Sequence, residues 1–319
     1  MPGTPVDLHV WSLPLRTRFR GLTVRDGVLL RGDAGWGEFS PFWDYDADES
    51  AAWWRAAREA ADEGWPEPVR ARVPVNVTVP AVDAATAHAI VLGSGGCRTA
   101  KVKVAEPGQS LADEVARLEA VRDALGPGGA IRVDANAAWD VDTAVTRLAA
   151  LDRAAGGLEY AEQPVPGVDG LAALRRRTSV PIAADESIRR AQDPLAVARA
   201  HAADVVVLKV QPLGGVRACL ELAERIGLPV VVSSALESSV GLAAGIALAA
   251  ALPELPYACG LATAQLFTAD LVTDPFLPVD GALDVRRPEP DPALLASAAG
   301  SAELAARWRA RVAAVVPRA

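Results

Sequence analysis

The chain has 319 residues, 51% hydrophobic and 23% charged, enough to bury a large core and to build one large domain with a smaller partner. Its formal net charge of -8 argues against nucleic acid or an anionic membrane surface as the main partner, yet a local lysine cluster can still hold a small anionic substrate. Cys97, Cys219 and Cys259 are scattered, lack CxxC spacing and sit in or beside apolar stretches, so they read as buried thiols.

Residues 1–71 read as a meander followed by a helix. Val6–Leu13 and Leu22–Gly32 are extended, and Asp26-Gly27 is a hairpin turn signal. Met1–Leu13 has no basic start followed by an apolar run, so no signal peptide is expected and the cytoplasm is the expected compartment. Gly35–Ser40 leads to a helix over Ala47–Glu63 that ends near Gly64, with Trp53 and Trp54 as packing residues. From about residue 72 short β-branched runs alternate with alanine-rich helical stretches. The expected strands are Val73–Val79, Thr99–Val104, Ala130–Asp134, Leu158–Glu162, Pro181–Ala184, Val205–Lys209, Pro229–Ser233 and a weak one at Tyr257–Cys259. Helices are expected at Leu111–Leu125, Thr143–Leu151, Leu195–Ala202, Gly215–Ile226 and Val240–Leu252, the last too short to span a bilayer. No GxGxxG opens a helix. The series predicts an α/β fold, a closed (β/α)₈ TIM-type barrel over residues 72–272. Residues 1–71 form a smaller α+β domain, and 273–319, with a helix over Pro292–Val316, return to pack on the barrel or on that domain.

Catalytic groups of such a barrel come from the C-terminal ends of its strands. Here those ends carry Lys101 and Lys103, then Arg132, Asp134 and Asn136, then Glu162, Asp185 with Glu186, and Lys209. Period-two alternation points Lys101 and Lys103 the same way, and likewise Arg132, Asp134 and Asn136. Buried without partners, each would cost several kcal/mol, so these groups should meet one another or an ion. Asp134, Glu162 and Asp185 end three consecutive strands about 4.8 Å apart, close enough to converge on one hard cation. Oxygen-only ligation favours Mg²⁺, with Mn²⁺ as a substitute. The competing reading is a salt-bridge network that only neutralises the barrel mouth. Lys103 and Lys209 flank the acids; a desolvated lysine beside a divalent cation acts as a general base, the alternative being Schiff-base chemistry. His9, His88 and His201 fall outside the strand ends.

Lys101-x-Lys103, Asp134-x-Asn136, Glu162-Gln163-Pro164, Asp185-Glu186-Ser187 and Lys209 together resemble the active-site ladder of the enolase superfamily, muconate-cycloisomerase-like branch. That resemblance implies a capping domain built from both chain ends over a modified (β/α)₈ barrel. Within the branch, Arg18–Gly21, Gly37–Pro41, Ser233–Ser239, Cys259–Thr263 and Asp270-Leu271 are similar to the family that forms 2-succinylbenzoate for menaquinone biosynthesis. The Asp-x-Asp by which the branch's dipeptide epimerases hold a substrate ammonium is absent from Gly260–Thr263. The resemblance implies Mg²⁺-dependent syn dehydration of 2-succinyl-6-hydroxy-2,4-cyclohexadiene-1-carboxylate, with Lys103 as base and then acid and Lys209 as a stabilising cation. Asp134, Glu162 and Asp185 are the implied metal ligands; Lys101, Asn136, Glu186 and Arg132 stand behind them, Arg132 near the two lysines. Ser233, Ser234, Glu237, Ser238 and Arg20 are placed against the succinyl tail, although the Ser234 and Ser238 hydroxyls serve equally as loop and helix caps. N-succinylamino-acid racemisation and muconate-type cycloisomerisation are the alternatives on the same site. A monomer is compatible with the sequence, which leaves the oligomeric state open.

Overall fold

The computed structural model describes residues 7–319, so Val6, where the first strand is expected to begin, lies outside the described residues. Three antiparallel strands, β1 (Leu8–Phe19), β2 (Leu22–Gly32) and β3 (Gly35–Phe39), form a meander in that order. The hairpin turns at Arg20-Gly21 rather than at Asp26-Gly27, which pair in mid-strand with Ser12 and Trp11. Arg20 and Gly21 supply the two positive φ angles, 50° and 77°, that a two-residue hairpin with the right twist requires. Gly27 serves packing instead: a Cβ there would lie 2.8 Å from the Trp11 ring.

The helix Ala47–Arg58 opens on a reciprocal capping box between Asp46 and Glu49, then widens by one turn over Glu59–Glu63 before Gly64 ends it. It buries Trp53 and Trp54 against Phe39, Phe42 and Tyr45. The expected tail helix is broken into Pro292–Ser297 and Ala302–Val315. Between them the chain runs along β1, with Ser12 bonded to the Ala298 carbonyl and Gly300 to the Val10 carbonyl. The second helix buries Trp308, Val312 and Val315 in the core of the small domain, so the tail completes the cap.

The run expected as one strand over Val73–Val79 is divided into β4 (Arg72–Pro74) and β5 (Val77–Val79). β5, β6 (Thr99–Lys103), β7 (Ala130–Asp134), β8 (Tyr160–Glu162), β9 (Ile182–Ala184), β10 (Val205–Leu208) and β11 (Val230–Val232) make one sheet with neighbours in chain order. Every pair is parallel, and helices pack outside the sheet. The eighth position is held by single bridges, Val75 to Cys259 and Ser233 to Gly260, which close the barrel across both edges. β12 (Ala282–Asp284) pairs antiparallel with β4, outside the ring. The protein is thus a modified (β/α)₈ barrel with an α+β cap. Ser239–Ala251, a helix buried from Ser239 to Ala250, is wedged between the two. Among the described residues, no helix is long and apolar enough to cross a membrane.

Candidate active site

Parallel register sets the site. Lys103 lies opposite Asp134, Asp134 opposite Glu162, and Glu162 opposite Ala183, two residues before Asp185. Lys101 Nζ reaches both Glu162 oxygens at 3.1 Å and Asp134 Oδ2 at 3.2 Å. Lys103 Nζ shares that Asp134 oxygen at 2.5 Å and bonds Asn136 Oδ1 at 2.6 Å. Lys209 Nζ meets Asp185 Oδ2 at 2.6 Å. The three acids and Lys101 and Lys209 are buried.

Burial weakens every charge here, and neighbours decide which survive. Desolvation opposes the Lys101 ammonium, but Glu162 and Asp134 overcome it and hold its pKa well above the ordinary lysine value. Lys103 goes the other way: burial and then the Lys101 charge outweigh Asp134, and its pKa falls. Burial would raise Asp134, yet Lys103 and Lys101 hold it far below the usual carboxylate range; Lys209 and Arg189 do the same for Asp185. Glu162 is pushed up to about 7 by burial and by the Asp134 carboxylate.

Two residues unassigned from sequence organise this ladder. Arg189, one helical turn beyond Asp185, donates to Asp185 Oδ1 at 2.9 Å and to Glu186 Oε1 at 2.6 Å, and also bonds the Tyr45 hydroxyl of the cap. Its i+4 spacing from Asp185 is the one signal that could have exposed it. Gln163 Oε1 accepts from the Asp185 and Ser187 amides, both at 3.0 Å, fixing the end of β9 against that of β8. Asn136 Nδ2 bonds Glu186 at 3.2 Å, which ties two of the expected supporting residues together.

The pocket above the ladder is walled by the lysines, by Phe19 and Arg20 of the cap, and by Ser233–Leu236 after β11. Thr78 and Thr263 also line it. Three expected residues are elsewhere. Arg132 turns to the barrel floor, where it bonds Glu159, Asn76 and the Ala258 carbonyl and stacks 4.6 Å from the Tyr160 ring centre; its acceptors there replace the expected meeting with the two lysines. Glu237 and Ser238 are buried beneath the pocket wall. Glu237 accepts from the Ser234 hydroxyl and the Ala235 amide, while the Ser238 amide and hydroxyl donate to Glu38, so both side chains are used up in bracing the loop instead of reaching the pocket.

Among the described residues, no three His, Cys, Asp or Glu side chains are gathered as a ready cation cage. Each acid of the trio is instead turned onto an ammonium group. The donor set still suits a hard divalent cation: three buried carboxylates end adjacent strands, and Glu162 is raised first by burial and then by the Asp134 carboxylate beside it, both of which a bound cation would offset.

A model of the enolase C-terminal domain-like family matches residues 83–290, and one of the enolase N-terminal domain-like family matches 10–61. The chain is 66% identical over 306 residues to an o-succinylbenzoate synthase of Thermobifida fusca (strain YX), covering 96% of this chain and 95% of that one. The chain belongs to the o-succinylbenzoate synthase family of the enolase superfamily. A second relative of that name, from Mycolicibacterium smegmatis (strain ATCC 700084 / mc(2)155), is 56% identical over 305 residues, 96% of this chain and 94% of its own. The fold is also that of muconate lactonizing enzyme from Pseudomonas fluorescens, with TM-score 0.79, 24% identity and coverage of 92% of this chain and 98% of that one. It is shared too with L-Ala-D/L-Glu epimerase from Bacillus subtilis, at TM-score 0.75, 21% identity and coverage of 91% and 98%.

Proposed function

We propose that the chain dehydrates 2-succinyl-6-hydroxy-2,4-cyclohexadiene-1-carboxylate to 2-succinylbenzoate, the aromatic intermediate of menaquinone biosynthesis. One observation carries the reading: Lys103, the last residue of β6, and Lys209, the residue just after β10, line one pocket, in a chain related along nearly its whole length to o-succinylbenzoate synthases. Asp134, Glu162 and Asp185 are the residues to hold Mg²⁺, or Mn²⁺ in its place, which when bound supplies Lewis-acid stabilisation to a substrate carboxylate.

The chain's own residues do the rest. Lys103, with its lowered pKa, takes the proton from the carbon bearing the ring carboxylate. The Lys103 ammonium then protonates the departing hydroxyl on the same face; the C–H and C–O bonds break, a C=C bond forms, and water leaves. Lys209, held by Asp185, keeps a positive charge beside the anionic ring. The succinyl tail lies against Ser233–Leu236, with Arg20 of the cap at its end. Phe19, 5.6 Å from Lys103 Nζ, helps shut water out.

The partner in this reading is a small anionic molecule, and a monomer suffices because one chain supplies the whole ladder; the cytoplasm is the proposed setting, on the N-terminal sequence alone. The same two lysines suit two-base racemisation of N-succinyl amino acids, a side activity that deuterium uptake at the α-carbon would register. The deciding experiment is incubation with Mg²⁺ and the cyclohexadiene substrate. Appearance of 2-succinylbenzoate is expected, and an unchanged substrate spectrum would refute the assignment.

A further inference from the structure

One wall of the pocket is held from the cap side. Arg25, in β2 and 2% exposed, donates Nε to the Leu236 carbonyl at 3.1 Å and Nη2 to the Ser40 carbonyl. Glu38, in β3 and 3% exposed, accepts from the Ser238 amide at 3.2 Å and from the hydroxyls of Ser238 and Ser40. Leu236, between these two anchors, stands at φ +67°, a conformation that a side chain of this shape adopts only where its surroundings impose it. From the barrel side its amide is held by Ser234 Oγ at 2.7 Å, which in turn donates to Glu237 at 2.6 Å. The following helix is fitted to the same carboxyl group, for a Cβ on Gly241 would lie 2.7 Å from the Glu38 carboxyl carbon.

Arg25 and Glu38 do not line the pocket, and their bonds run to the wall and the cap rather than to Lys103 or Lys209. Two ionisable side chains buried at a domain junction, each bonded at once to the cap and to this loop, carry a desolvation cost that simple packing would not require. We propose that Arg25 and Glu38 are positioning residues which, through the Leu236 carbonyl and Ser238, hold the Ser233–Leu236 wall in its binding shape, so that docking of the cap sets how tightly the substrate side chain is gripped. The inference rests on the reading of the pocket as a succinylbenzoate-forming site. Its signature is a change in substrate binding rather than in proton transfer.

The test compares Glu38→Ala, Glu38→Gln, Ser238→Ala and Arg25→Met with the unaltered protein, by steady-state kinetics and by hydrogen exchange. Glu38→Ala is expected to raise KM about tenfold with kcat within about threefold, and to speed exchange in residues 233–239 but not in 99–134. Glu38→Gln should restore both, since its carbonyl can accept from Ser238 and its amide can donate to the Ser40 hydroxyl. Ser238→Ala should give a smaller change of the same kind, and it decides the matter should Arg25→Met fail to fold. A fall in kcat at constant KM, exchange rising equally in both segments, or a Gln variant as impaired as the Ala variant would overturn the proposal. Were the unaltered protein to leave the cyclohexadiene substrate untouched, the functional reading would fall, while the exchange contrast would still decide whether Glu38 holds the wall.

Discussion

Asp134 Oδ2 takes bonds from two ammonium groups, Lys101 at 3.2 Å and Lys103 at 2.5 Å, and that shared oxygen divides their labour. Lys101 has Glu162 as a further partner and stays charged. Lys103, nearer the mouth, is the one whose proton is easier to lose. Lys103→Ala should therefore lower kcat/KM by about 10³-fold or more, the scale of a lost general base, with the circular-dichroism melt little changed. Turnover near the native level would reassign the base. The acids carry a second expectation: EDTA should abolish turnover, and added Mg²⁺ should restore it and raise Tm, since an ion bound only to the folded protein stabilises it. In Asp134→Asn the Mg²⁺-dependent rise in Tm should largely vanish, and an undiminished rise would mean that the ion sits elsewhere. These acids and lysines were legible in the sequence because charges at the ends of apolar strands must face a shared interior. Depth and direction were not legible. Arg132 has the right parity but sits at the floor, and a serine-rich stretch does not reveal that Ser234 faces the pocket while Ser238 faces Glu38.

At the scale of elements, strand ends were readable where a β-branched run stops at a charge, as at Lys103, Asp134 and Glu162. The first hairpin was misplaced because Asp26-Gly27 matches a turn by composition, whereas the turn at Arg20-Gly21 depends on two positive φ angles that one arginine adopts against its usual preference. The break in the tail helix has a local signal, Gly300 followed by the N-cap Ser301, but the pairing of Ala298–Gly300 with β1 has none. β3 yields a prediction of its own. Glu38 faces the Arg25 guanidinium, the Glu237 carboxyl and the hydroxyls of Ser40 and Ser238; burial, above all, pushes its pKa up from 4.5 to about 8. A carboxyl whose pKa is raised on folding binds its proton more tightly in the folded state, so its stabilisation is complete below pH 4.5 and is lost as pH climbs to about 8. Compared with Glu38→Gln, the unaltered protein should lose stability, on the order of a few kcal/mol, across that window and level off above it. Parallel urea titrations from pH 5 to 9 would measure the difference, and two parallel profiles would contradict the assigned shift.

For the whole molecule, charge poses the sharpest question, since a protein of net charge -8 is to receive a substrate with two carboxylates. Arg18, near the end of β1, and Arg20, in the turn that follows, are both exposed and line a recess beside the pocket together with Lys103 and Asn136. At physiological ionic strength charges act over about 8 Å, so the cations lining the recess reach an entering anion while more distant charges are screened. The local cations should therefore win at the mouth, and the entering dianion should be attracted. It follows that kcat/KM falls several-fold between about 20 mM and 300 mM NaCl, and that Arg18→Gln, which spares the pocket wall, flattens this dependence while leaving kcat nearly unchanged. If the net charge governed instead, salt would screen repulsion and kcat/KM would rise. The sign of the slope alone separates the two cases, and a rising slope would remove the cap's arginines from any role in capturing substrate.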